Sequence, residues 1–163
     1  MNEVATIYMP EFSVCTIVSN REEYDQMLSS FRANGFGDDC EFLVADNTTS
    51  NREDAYQAIN RFLQQARGVN IIIVHQDVRC IDHRSTLTAA LQKLEKKDPA
   101  WAVCGNAGCR GYKQCYYHLL NVGERKISKG LPVKVNSLDE NFLVVKNASK
   151  LQLSAGLRGF HLY

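Results

Sequence analysis

Three short polar stretches, each directly after an apolar run, hold the residues best suited to chemistry. They are Ser19-Asn20-Arg21, Asp46-Asn47-Thr48-Thr49 and His75-Gln76-Asp77-Val78. If the chain stays extended through the last of these, the strand period of two puts His75 and Asp77 on one face. An imidazole beside a carboxylate suits a divalent cation such as manganese, whereas magnesium would lean on Asp77 and water. Such an ion would neutralise a diphosphate and ease its departure as a leaving group. The plainer reading has Asp77 capping a loop and His75 packing at a strand end, and spacing alone favours it. Asp46 could accept a hydrogen bond from a nucleobase imide or simply close an Asx turn. Asn20 reads best as a helix cap, and Arg21 could meet a phosphate or begin a solvated helix.

Other chemistry-bearing patterns are weaker. There is no Walker A sequence, no G-x-G-x-x-G after the first strand and no G-x-S-x-G elbow. Gly105-x-x-Gly108-x-x-Gly111 has the wrong spacing for a phosphate cradle and reads as a flexible loop. His75, Cys80 and His83 form a minor alternative metal cluster. Cys104, Cys109 and Cys115 lack the C-x-x-C spacing of a zinc site. Cys15 and Cys104, inside apolar stretches, read as small core residues.

The elements that must carry these residues alternate. Phe12 to Val18 reads as a buried strand. Tyr24, Met27, Leu28 and Phe31 then mark a helix face, with Asn20 and Glu23 fitting its N-cap and Gly35 and Gly37 its end. Glu41 to Ala45 reads as a second strand, and Ser50-x-x-Glu53 as the capping box of a second helix that aligns Ala55, Ile59, Phe62, Leu63 and Ala66. Asn70 to Val74 is apolar on both faces, as a parallel strand covered by helices should be. Leu87, Ala90, Leu91 and Leu94 mark a third helix, which ends before Pro99. Beyond Trp101 only Asn141 to Val145 reads clearly as a strand. The order predicts an α/β fold, doubly wound around a mainly parallel sheet, with an irregular C-terminal third.

Composition sets the outer bounds. The chain has 163 residues, 45% hydrophobic and 23% charged, with a net charge of +1. One domain over 1–163 is the expectation, with a core large enough to stand without disulfide staples. The charge balance gives no reason to expect nucleic-acid binding. The run from Val69 to Val74 is too short to span a bilayer, and Glu3, Pro10 and Glu11 spoil any signal peptide. A soluble, cytoplasmic protein is expected.

Taken in order, these pieces resemble a known family. Ser19-Asn20-Arg21, Val44-Ala45-Asp46-Asn47, a helix carrying Asn60, and Ile71-Ile72-Ile73-Val74-His75-Gln76-Asp77-Val78 are similar to family 2-type glycosyltransferases of the nucleotide-diphospho-sugar transferase (GT-A) fold. The His-Gln-Asp-Val version resembles the branch that includes a streptomycin-biosynthesis-type glycosyltransferase domain. Ser137-Leu138-Asp139-Glu140-Asn141-Phe142-Leu143-Val144-Val145 and Gly159-Phe160-His161-Leu162-Tyr163 also fit.

The resemblance implies a nucleotide-sugar donor, an acceptor that the sequence does not identify, and a weakly held Mn2+ or Mg2+. It implies that Asp46 meets the base, with Ser19, Asn20, Arg21 and Asn47 on the nucleotide side. Asp77 would match the last acid of the metal-binding D-x-D element, with His75 in place of the first. Asp139 would lie by the donor sugar or acceptor, as the catalytic candidate. Family members continue past the Phe-His-Leu-Tyr-like stretch into an acidic segment that is expected to supply the base. The chain stops at Tyr163, so the resemblance implies a truncated domain. General-base help, worth about a hundred- to ten-thousandfold in rate, would then be missing unless His161 or Glu140 substitutes. An inverting glycosyltransferase domain is the leading reading. A non-catalytic nucleotide-sugar-binding or protein-interaction module of the same fold is the alternative, and a metal-dependent nucleotide-diphosphate hydrolase the third.

Overall fold

The apolar runs become the centre of a sheet. The computed structural model describes residues 9–111, 113–121 and 124–160. In chain order the elements are β1 (Phe12–Val18), α1 (Arg21–Ala33), β2 (Glu41–Asp46), α2 (Ala55–Gln65), β3 (Asn70–Val74) and α3 (Arg84–Lys97). Then follow β4 (Val103–Gly105), β5 (Ala107–Arg110), β6 (Gln114–Asn121), β7 (Glu124–Ile127), β8 (Ser137–Leu138) and β9 (Phe142–Lys146). The main sheet has the order β2-β1-β3-β9-β4. β1 pairs parallel with β2 and β3, while β9 runs antiparallel to both β3 and β4. Four of the five strands therefore point the same way, and the sheet is mixed rather than purely parallel.

Alternation along β1 and β3 divides the core into two layers. Phe12, Val14, Val18, Ile72 and Val74 face one side, where Tyr24, Met27 and Phe31 of α1 and Leu91 of α3 cover them. Cys15, Ile71 and Ile73 face the other, against Ala58, Ile59 and Phe62 of α2. Each fully buried large apolar side chain contributes about 1.5–3 kcal/mol, so both layers are needed to hold the sheet. Leu151 and Leu153 extend the second layer. Asn60 fastens that stretch, donating to Leu153 O at 3.1 Å and accepting from Leu153 N at 2.8 Å. Gly68, entering β3, is pressed against β1: an added Cβ would lie 2.5 Å from Ser13 N.

Three expectations are corrected, and one covalent link is new. α2 begins later than Ser50-x-x-Glu53 suggests, with Asp54 and Gln57 forming the capping box. The C-terminal third is not irregular, because β7-β6-β5-β8 form a second, antiparallel sheet. Gly105 and Gly108 lie in β4 and β5 rather than in a loop, and a Cβ on Gly108 would meet Ser137 O at 2.6 Å. Cys109 and Cys115, directly opposed on β5 and β6, form a disulfide. No helix among the described residues is long and apolar enough to cross a membrane.

Candidate functional site

The chain steps from β1 to β2 on one side, then crosses to β3 on the other. In such sheets the ligand crevice opens at the carboxyl ends of the strands flanking the reversal. Ser19-Asn20-Arg21, Asp46 and His75-Gln76-Asp77 all emerge at this edge. The antiparallel β9 starts beside the end of β3, with Phe142 opposite Val74. That register carries Asp139 to the same edge. The His75 amide donates to Asn141 O at 3.0 Å, and the Asn141 amide donates to Asp139 Oδ1 at 3.0 Å. The Asp139 amide in turn donates to Ala107 O at 3.0 Å, which joins the second sheet to the site. Asn106 and Asn141 each leave a buried carboxamide oxygen with no partner among the described residues.

The side chains divide into those facing outward and those consumed by the scaffold. Asp46 accepts from the Thr48 hydroxyl at 2.6 Å and its amide at 3.0 Å, and meets Arg21 Nη2 at 3.4 Å. The Thr48 hydrogen bonds, led by the hydroxyl, hold the Asp46 carboxyl below its ordinary range, with Arg21 adding less. Asp46 is thus both an Asx-type turn and an exposed anion. Arg21 also lies 5.6 Å from the Tyr24 ring centroid.

Asn20 caps α1, accepting from Glu22 N at 3.0 Å and Glu23 N at 3.3 Å. Asn47 is buried, and both polar atoms of its side chain serve the next loop. It donates to Glu53 O at 2.8 Å and accepts from Arg52 N at 3.0 Å and Glu53 N at 3.3 Å. Such an Asn shapes the nucleotide-side loop from within.

β3 ends at Val74, so the period of two does not extend to His75 and Asp77. A turn replaces it, closed by Val78 N donating to His75 O at 3.2 Å. Both side chains are exposed, and neither hydrogen-bonds another described residue. Among the described residues no three His, Cys, Asp or Glu side chains form a metal-binding group. His83 instead caps α3, with Nδ1 accepting from Ser85 N at 3.3 Å, and Cys80 Sγ lies 3.3 Å from Asp82 O. The His75-Cys80-His83 alternative is therefore set aside. His161, Leu162 and Tyr163 lie outside the described residues.

Gln76, between the two metal candidates, was not singled out by sequence reasoning. Its Oε1 accepts from Ser19 N and Asn20 N, each at 2.9 Å, and its Nε2 donates to Ser19 Oγ at 2.9 Å. A glutamine has no sequence signature for such contacts; only its place beside two candidate ligands could have drawn notice.

No family model matches the chain. A curated relative, ATP synthase subunits region ORF 6 of Fuscovulum blasticum, is 34% identical over 161 residues, covering 93% of this chain. The chain spans 65% of that relative's length. Among solved structures, the mannosyltransferase PcManGT from Pyrobaculum calidifontis, in complex with GDP-Man and Mn2+, gives a TM-score of 0.46 at 21% identity, over 63% of this chain and 36% of that one. TarS 1–349 of S. aureus gives 0.50 at 14% identity, over 85% of this chain and 47% of that one. The TarS likeness covers most of the chain, and with the sheet order above it shows that this protein shares the mixed α/β fold of that structure, with a mostly parallel central sheet.

Proposed function

We propose that this domain binds a nucleotide-sugar donor with a divalent metal and delivers the sugar to an acceptor hydroxyl. The observation that carries the reading is the convergence of Arg21, Asp46, His75, Asp77 and Asp139 on one sheet edge, at the reversal of strand order. Asp46 and Arg21 would take the nucleoside side, while the Ser19-Asn20 loop borders the crevice. Asp77, with His75, would hold Mn2+ or Mg2+, whose charge offsets that of the departing diphosphate. Asp77 is one exposed carboxylate and His75 an exposed imidazole on the same turn, and such an ion is commonly bound by one or two carboxylates completed by substrate phosphates and water.

Asp139 Oδ1 is engaged by the Asn141 amide, which leaves Oδ2 to orient an acceptor hydroxyl. The hydroxyl oxygen would attack the anomeric carbon directly, inverting it, while its proton passes to Asp139 Oδ2 and the bond to the diphosphate breaks, its electron pair leaving with the phosphate oxygen.

Thermal melting with UDP or GDP, with and without Mn2+, tests this. A nucleotide at about a hundred times its dissociation constant adds about 2.7 kcal/mol, several degrees for a chain this size. The expected result is a Mn2+-dependent shift with one nucleotide, absent in Asp77→Ala. No shift with either would sink the reading.

A further inference from the structure

The Gln76 carboxamide crosses the crevice between the ends of β1 and β3. One of the two amides it holds belongs to Asn20, the N-cap of α1. In a capping box that amide is taken by the acidic side chain three residues on. Here Glu23 occupies that place but turns to Arg79 Nη2 at 2.6 Å, and Gln76 supplies the missing acceptor from another strand end. Arg79 also reaches Gln26 Oε1 at 2.6 Å, so the turn after β3 is tied twice to the start of α1. The Gln76 contacts join the loop assigned to the nucleoside side to the turn assigned to the diphosphate.

We propose that Gln76 is a positioning residue that locks the Ser19–Arg21 loop against the His75–Asp77 turn without touching the ligand. The inference rests on the donor-site reading above. A nucleoside diphosphate spans both halves of the crevice and gains from their fixed separation, because ordering them is a cost already met before binding. A nucleoside monophosphate reaches less of the diphosphate side and gains less.

Calorimetry on the full chain with Mn2+ separates the possibilities, using UDP against UMP and GDP against GMP. Gln76→Leu, which removes the acceptor, is expected to weaken the diphosphate about tenfold and the monophosphate at most about twofold. Gln76→Glu keeps an acceptor for both amides. With its added charge screened at about 0.5 M NaCl, it should retain the wild-type ratio of the two affinities. Should Gln76→Leu fail to fold, Gln76→Asn, too short to reach both amides, gives the same contrast. Equal losses for both ligands, no loss at all, or a Gln76→Glu variant as impaired as Gln76→Leu would each overturn this inference alone. Wild-type protein that binds no nucleotide would overturn the donor-site reading beneath it.

Discussion

Replacing Asn47 by Ala separates two roles that adjacent residues could share. Asn47 is 6% exposed and makes three hydrogen bonds to the backbone of Arg52 and Glu53. Arg52 is exposed, so water can take over its amide. Glu53 is half-buried, and its amide and carbonyl would be left poorly solvated. At about 1 kcal/mol per net hydrogen bond, and somewhat more where a group stays unsatisfied, Asn47→Ala should cost about 2–3 kcal/mol. With a urea slope of about 2 kcal/mol/M, the midpoint should fall by about 1–1.5 M. Fluorescence of the single, buried Trp101 reports the transition. Asp46→Ala is the control: its exposed carboxylate contributes little to the fold, so the midpoint should stay while nucleotide affinity drops. Asn47→Asp should fall between, keeping the acceptor oxygen but setting a carboxylate against Glu53 O. An Asn47→Ala protein with an unchanged midpoint and lost nucleotide binding would refute the assignment of Asn47 to the scaffold.

Two further outcomes follow from other buried groups. Burial works to raise the Glu41 pKa, but hydrogen bonds from the Arg67 amide, the Ser13 hydroxyl and the Arg67 side chain outweigh it and hold the carboxyl below its ordinary 4.5. The stability Glu41 adds over Glu41→Gln should therefore be full above that value and shrink as pH falls through and below it; a difference that grows in acid would contradict this. Burial also raises the free thiols, Cys40 and Cys80 to about 11 and Cys104 to about 12. Disulfide-exchange labelling at pH 8 should accordingly be slow until denaturant is added, and fast labelling of folded Cys80 would count against the burial argument.

The limits of β1 and β3 were legible because each is a short run apolar on both faces, and the α1 cap because Asn20 stands directly before the helical periodicity. Ser50-x-x-Glu53 misled because its last two residues are held out of the helix by Asn47, while Glu53 pairs with Arg61 at 2.8 Å. The second sheet was hidden because β5, β7 and β8 are only two to four residues long, β5 contains Gly108, and the longer β6 has no clean alternation of apolar and polar residues. The edge that gathers the candidate site was legible from the order of strand ends. Gln76 was not, since backbone contacts across 56 and 57 residues leave no local pattern.

Strand β9 sits between β3 and β4 although both precede it in the chain. During synthesis the β2-β1-β3 unit can form with its helices while one edge of β3, lined by Ile71, Ile72, Ile73 and Val74, still lacks its neighbour. β4 has no place in the sheet until residues 142–146 arrive. A growing chain therefore carries an open apolar edge, the kind of surface that nascent proteins must keep from pairing with one another. The same late strand brings Asp139 and Asn141 to His75. The crevice is thus assembled last, and only after its scaffold has passed through its most aggregation-prone stage.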